Sequence, residues 1–550
     1  MSLHQQVTYV VPDDTARVAR AAFPRGNPYL RLADALGSIF ADQEFAALFP
    51  TRGQPAEAPA RLALTTLMQF MEGLSDRQAA DAVRSRIDWK YILCLDLTDP
   101  GFDHTVLSEF RTRLVAGEAE QLLFDTVLTC CRELGLLKAR GRQRTDSTHV
   151  LAAVRVLNRL ERVGETLRHA LNCLAGLAPD WLRAQVPEDW YARYGSRIDN
   201  YQLPKADGQR QALAATIGAD GRHLLTAVDA ATEHPELRAL PAIATLRQVW
   251  AEQYTDPPEP PRWREVKDLA AAGELIASPY DPDARWSTKR DVQWVGYKVH
   301  LTETCDPGTP HLITHVATTP ATTQDDQLLP SVHTALAAHD LLPREHLVDA
   351  GYTTAAALVT SQHEHGVTVV GPVALDPSWQ AKAGEGFEKA RFTVDWEAET
   401  VTCPAGKRSL SWRPVTDPTK DAAVHVRFAR RDCLACADRV RCTTAKIEPR
   451  ELMLQPREQH EALQIARREQ TGAAFRARYA ARAGIEGTHA QGVRRCGLRE
   501  ARYLGLAKTT LQHVCTAAAL NLIRVAEWLA GTPHATTRCS PFAALHLATG

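Results

Sequence analysis

Asp146, Asp349 and Glu486 lie far apart in the chain, yet each sits in a setting that suits metal chemistry. Asp146 lies in Thr145-Asp146-Ser147-Thr148-His149, Asp349 in Leu347-Val348-Asp349-Ala350-Gly351-Tyr352, and Glu486 closes the pattern Tyr479-x2-Arg482-x3-Glu486. Carboxylate oxygens drawn from separate segments make a hard-ligand site for Mg2+ or Mn2+, with room left for water and phosphate. A pair of such ions ~4 Å apart can activate an attacking oxygen and steady a leaving one during phosphodiester cleavage. Taken singly, each Asp reads better as a cap or turn residue; the set of three favours metal. Asp325 and Asp326 rank behind Asp349, because acids at a helix start already favour the helix dipole. Asp283 and Asp291 rank lower still.

The elements expected around these acids alternate between sheet and helix. Lys138–Val154 holds a first strand with Asp146 on it. Tyr297, Val299 and Leu301 alternate with Lys298, His300 and Thr302, the signature of a half-buried strand over Trp294–Thr304. Asp306-Pro307-Gly308 turns into a strand over His311–Thr318. A helix over Asp325–Ala338, a strand over Glu345–Asp349, a helix over Thr354–His365 and a strand over Gly366–Val373 follow. Asp146 and Asp349 are thus expected on adjacent strands, ~4.8 Å apart. On a helix, Tyr479, Arg482 and Glu486 would share one face over that sheet edge. His489 lies three residues further on, able to face the site, touch phosphate or carry a proton. Gly484 and Gly487 flank Glu486 and should loosen its helix.

At this point the chain resembles the DDE insertion-sequence transposases, which have an RNase H-like catalytic core, and within them the bacterial insertion-sequence family eleven-eighty-two. The resemblance runs from about Ala41 to Arg524. It implies an α/β fold, an RNase H-like mixed sheet preceded by a helical N-terminal domain, to which the residues themselves add a helical insertion and a Cys-rich insertion. It also implies cleavage at the element's ends and strand transfer into a target, with double-stranded DNA (inverted repeats and target) as partner and Asp146, Asp349 and Glu486 as the catalytic acids. The family signature often carries a Lys seven residues after the Glu; here Val493 occupies that position and Arg494 and Arg495 follow it. Arg482, His489, Arg494, Arg495 and Lys508 are the expected DNA contacts. The rival readings are a non-catalytic, domesticated DNA-binding protein and a metal nuclease without strand transfer.

The expected organisation is a helical domain over 1–137, for end binding or dimerisation, and the first part of the core over 138–155. A mostly helical insertion over 156–285 follows, with a stiff Pro257–Pro261 linker inside it, then the continued core over 286–375. A Cys-rich insertion spans 376–455, the C-terminal catalytic helices 456–530, and a tail 531–550. Within the N-terminal domain, Ser75 or Asp76 is expected to cap a helix start. Near the end, Leu511, Val514, Ala518, Leu522 and Val525 repeat at helical spacing as a core-facing stripe, one that would also suit a homodimer contact.

The 136 residues between Asp349 and Glu486 exceed what the core requires and contain Cys403, Cys433, Cys436 and Cys442. Cys433-x2-Cys436 is a chelating pair, and Cys403-Pro404-x-Gly406 suits a knuckle turn. Structural Zn2+ on four thiolates is favoured over an iron–sulfur cluster and over four unrelated cysteines.

At 550 residues, two to four domains are expected, and 45% hydrophobic residues suffice for real cores. The net charge of −1 excludes a uniformly basic binder. The charge is uneven, however: His425–Thr509 holds 18 Lys and Arg against 9 Asp and Glu, an excess able to counter a phosphate backbone. No apolar run reaches the ~20 residues of a membrane helix, and Met1–Ala21 lacks a signal-peptide core. The expected location is therefore the bacterial cytoplasm, associated with the nucleoid, with no membrane partner and the 12 cysteines reduced.

Overall fold

The structure is a computed structural model that describes residues 2–533, except 4, 5, 7, 256–260, 290, 418 and 419, together with Phe542. Of the Pro257–Pro261 linker, only Pro261 is among the described residues, and most of the 531–550 tail lies outside them.

A six-stranded mixed sheet forms the centre. Its strands are β1 (Arg142–Leu151), β2 (Arg285–Lys289), β3 (Val292–Thr304), β4 (Ile313–Pro320), β5 (Glu345–Leu347) and β6 (Thr368–Val370). β3 runs antiparallel to β1 on one side; on the other it pairs with β2 along Val292–Gly296 and with β4 along Tyr297–Glu303. β5 lies parallel to β1, and β6 parallel to β5. Across the sheet the order is β4, β3, β1, β5, β6, with β2 continuing the β4 edge. The strand order along the chain is the one read from the sequence, with β2 added. The five residues of β2 escaped that reading because they hold no alternation long enough to register.

Gly296 pairs with Leu151, the last residue of β1. Its φ is 152°, and a Cβ there would meet the Val150 carbonyl oxygen at 2.1 Å, so only glycine fits this close approach.

The sheet shares one hydrophobic core with the chain's two ends. The helices Pro59–Glu72, Thr105–Ala116 and Leu122–Glu133 surround the final helix, Leu506–Leu529, which packs on β4. Leu67, Phe110, Val127, Leu301, Val514 and Leu522 belong to the same buried cluster. Ser75 caps its helix as expected, its hydroxyl accepting from the Gln78 amide. Asn521 ties the final helix to β4 directly, its side chain donating to and accepting from the Ile313 backbone at 2.8 Å. The opposite face of the sheet is covered by Leu329–Ala338 and Ala355–His365, with Leu329, Val348, Tyr352, Ala357 and Val369 buried between them. Two segments carry cores of their own. Residues 156–285 are mostly helical around Leu167, Leu224, Leu246 and Trp250. In residues 393–454 the regular structure is chiefly strand, around Val401, Val426 and Phe428.

One buried ionic network clamps the last elements onto the sheet. Glu303 of β3 is fully buried. Arg144, directly across on β1, donates to Glu303 Oε1 at 2.7 Å. Arg524 of the final helix donates to Glu303 Oε2 at 2.7 Å, and Thr488 donates to the same oxygen at 2.6 Å. Despite burial, the two guanidiniums hold the Glu303 carboxyl below its ordinary value. A buried charge of this kind is tolerable only while its partners stay in place. Glu303→Gln should therefore cost about 3–5 kcal/mol of stability at neutral pH, since it strands two buried guanidiniums. Because the folded carboxyl titrates below its unfolded value, the stabilisation is present above the ordinary Glu range. It fades as pH falls through the lowered folded value. Urea unfolding as a function of pH checks both points: a wild type whose acid-side stability is as flat as the variant's would refute the network's role.

Candidate active site

Asp146 lies in the middle of β1 rather than at its end, with Leu301 of β3 opposite. The β1–β5 register runs Arg142 to Glu345 and Arg144 to Leu347. Continued two residues, it brings Asp349, just beyond β5, level with Asp146 on the same face. Asp349 is held by a turn in which its Oδ1 accepts from the Gly351 amide at 2.9 Å.

Glu486 opens the helix Ile485–Cys496, which packs across β1. The expected single helix through Tyr479, Arg482 and Glu486 is broken. Ala473–Tyr479 is α-helical, Ala480–Gly484 is a 3-10 turn, and the α-helix resumes at Ile485. Arg144 supplies the cause, because its Nη1 donates to the Ala481 carbonyl. In an unbroken α-helix that carbonyl would accept from Ile485. Gly484 makes room for the guanidinium: a Cβ there would lie 2.1 Å from Arg144 Nη1. The glycine thus answers to a close approach from within the protein. Gly487 has open space where its Cβ would be.

Arg482 sits among the acids. Its Nη2 lies 2.7 Å from Asp146 Oδ2 and 4.0 Å from Asp349 Oδ2, and its Nη1 lies 3.3 Å from Glu486 Oε1. The three predicted acids therefore meet around one guanidinium. Burial pushes the Asp146 carboxyl up to about 6; Arg482 opposes this, while Asp349 and Glu486 add to it. The acids differ in exposure: the Asp146 side chain is 7% exposed, Asp349 28% and Glu486 61%. The cluster thus opens toward solvent on its Glu486 side.

Ligand atoms of Asp146, Glu486 and His489 lie within 4.8 Å of one another. Asp349 stands outside that tighter group and joins it through Arg482. The oxygen-rich donor set suits a hard divalent cation. His489 is buried, and burial pushes its imidazole down to about 4, so it is neutral at neutral pH. Its Nε2 has no partner among the described residues. The ring is sequestered beside the acids rather than displayed to a phosphate backbone.

The other expected DNA contacts fall differently. Arg494, Arg495 and Lys508 are exposed. Arg482 is 16% exposed and engaged with carboxylates. Asp325 is close by: a Cβ on Gly351 would lie 3.1 Å from Asp349 Oδ1 and 3.2 Å from Asp325 Oδ2. Yet Asp325 is committed to Lys298 at 3.1 Å and to the Ser147 hydroxyl at 3.2 Å. Asp326 belongs to the same 3-10 turn. Asp283 accepts from the Leu506 amide at 3.1 Å, anchoring the start of the final helix. Sequence reasoning missed Glu303 and the part played by Arg144. A signal existed: Glu303 falls in the apolar phase of β3, with Tyr297, Val299 and Leu301, where an acid needs a buried partner. Arg499, a DNA-contact candidate by its place in the basic stretch, donates to Thr148 Oγ1 at 2.8 Å and so fastens the chain after Glu486 to β1.

No helix among the described residues is long and apolar enough to cross a membrane. No curated protein and no solved structure matches the chain. Two family models do. Residues 17–113 match a transposase domain (DUF772), which covers much of the N-terminal helical segment. Residues 402–526 match a transposase DDE domain, a stretch that includes Arg482, Glu486 and most of the final helix. These two matches, together with the acids gathered on the sheet, support a DDE-type insertion-sequence transposase.

Proposed function

We propose that the protein cleaves DNA at the ends of its insertion sequence in a metal-dependent reaction and transfers the freed 3′-hydroxyl strand into target DNA. The observation that carries this reading is the convergence of Asp146, Asp349 and Glu486 on Arg482. The strand order β4-β3-β1-β5-β6, with Asp146 on β1 and Asp349 just beyond the end of the parallel neighbour β5, supports an RNase H-like core. In this reading residues 138–155 and 286–375 form that core, and 456–530 supply its last acid. Residues 1–137 hold the element's ends or join two subunits.

Asp146, Asp349 and Glu486 would hold Mg2+ or Mn2+, and the neutral His489 lies beside them as a further donor. Bound there, the metal would supply Lewis-acid stabilisation to the attacking and leaving oxygens of the phosphodiester. Asp146 is the buried anchor, fixed in mid-strand. Glu486, the most exposed acid, stands where DNA must enter. Arg482 meanwhile offsets the repulsion among the acids. Arg494 and Arg495, exposed in the last turn of the Glu486 helix, and Lys508, exposed near the start of the final helix, would neutralise phosphates along the approaching duplex.

Asp146→Asn and Glu486→Gln should each lower cleavage of an end-containing duplex by at least about 100-fold, with the fold retained by circular dichroism. Undiminished cleavage by an Asp146→Ala protein would sink the assignment. Products nicked at the ends but never joined to a target plasmid would reduce the activity to that of a nuclease. Arg482→Met should lower the melting temperature without metal, because three acids then face each other uncompensated. Added Mg2+ or Mn2+ should recover more of that loss than it adds to the wild type. An equal metal-induced shift in both proteins would show that Arg482 does not balance the acids.

A further inference from the structure

A second cluster of ligand-type side chains lies in residues 393–454. Its strands enclose a small core built on Phe392, Val401, Val426, Phe428, Leu452 and Leu454. Such a core offers little apolar area to offset the entropy of ordering so many residues. Cys403, Cys433 and Cys442 pack against it. Together with Cys436 they line a single cavity, walled by Phe387 and Phe428. All four are free thiols.

We propose that Cys403, Cys433, Cys436 and Cys442 bind one zinc ion as a tetrathiolate that staples this segment. Three further observations point that way.

First, the loop at Cys403 is shaped around its sulfur. The Cys403 amide donates to the Lys407 carbonyl at 2.8 Å, and the Gly406 amide donates to the Cys403 carbonyl at 2.8 Å. Gly406 has a φ of 77°, so the turn needs glycine. The Lys407 amide then points at Cys403 Sγ at 3.4 Å. A backbone amide aimed at sulfur favours the thiolate, the form that ligates metal.

Second, the other three cysteines are delivered by two short helical turns, Arg430–Leu434 and Arg439–Cys442. Cys433 is in the first, Cys436 follows it, and Cys442 ends the second. Gln380 fastens the end of the second turn by donating to the Cys442 carbonyl at 2.8 Å.

Third, two guanidiniums share the cavity. Arg439 and Arg450 line it beside the cysteines. Arg439 Nη1 and Arg450 Nε are buried without a partner among the described residues. Arg439 Nη2 is held by the Ala445 and Glu448 carbonyls and Arg450 lies over the Phe392 ring; a four-thiolate zinc centre, which carries net negative charge, would partner the nitrogens that remain. No three of the sulfurs lie mutually within 4.8 Å among the described residues. The ion would therefore draw the side chains inward to the ~2.3 Å zinc–sulfur distance.

The surrounding arginines mostly serve the segment itself. Arg427 pairs with Glu448 and Glu451, and Arg441 with Glu385 and Asp438. The segment's basic character thus goes largely into holding its own loops.

The test is elemental analysis of the full chain, purified under reducing conditions without chelator. The expected result is about one zinc per chain, retained in Asp146→Asn and in Cys173→Ser, whose cysteine lies in the separate helical segment. The zinc should fall to background in Cys436→Ser. Cobalt exchanged into the wild-type protein should show thiolate charge-transfer and tetrahedral ligand-field bands, a readout that does not rely on the variant folding. A wild type without zinc, visible absorbance accompanied by stoichiometric iron, zinc undiminished in Cys436→Ser, or cobalt without thiolate bands would each overturn the proposal. Zinc lost from Asp146→Asn but kept in Cys436→Ser would assign the ion to the carboxylates instead.

Discussion

Three carboxylates from three separate stretches of chain do not gather without something to offset their repulsion. In this protein that something is Arg482, which touches all three. Much of the fold can be understood as the means of delivering those acids to it. β1 and β5 run parallel so that Asp146 and Asp349 come level, and a broken helix swings Arg482 and Glu486 over the same face. Burial alone would favour a protonated Asp146, and the two neighbouring acids press the same way. The guanidinium keeps the cluster compact while leaving its Glu486 side open to solvent.

A second ionic centre gives the first its rigidity. Glu303 joins β3 to β1 through Arg144, to the final helix through Arg524, and to the Glu486 helix through Thr488. Arg144 belongs to both centres in effect. It answers Glu303 with one edge of its guanidinium and takes the Ala481 carbonyl with the other. That second contact breaks the helix just before Glu486. Orientation of the last acid thus depends on a residue two positions before the first acid on the same strand.

Much of this was legible in the sequence, and the reasons are physical. Strand alternation over Trp294–Thr304 marks β3, and the short apolar run ending at Asp349 marks β5. The spacing Tyr479-x2-Arg482-x3-Glu486 places an arginine beside the acid. What stayed hidden depends on contacts between distant residues. The helix break at Ala480–Gly484 comes from Arg144, more than three hundred residues earlier, so local spacing could only suggest one continuous helix. Burial of His489 follows from packing against β1, which a helical pattern does not reveal. Glu303 was visible as an acid in the wrong phase of its strand, but its partners were not. The cysteines were legible as a group, whereas the arginine nitrogens buried beside them emerge only in three dimensions.

The placement of the final helix has a consequence for how the molecule comes into being. Leu506–Leu529 fills the centre of the core shared by the N-terminal helices and the sheet. Its Asn521 and Arg524 fasten β4 and Glu303. During synthesis on the ribosome, the segments with private cores can settle as they emerge. The face that carries the three acids has to wait until Leu506–Leu529 has been released. A message truncated shortly before Leu506 would yield a chain that possesses every acid of the site and cannot assemble it.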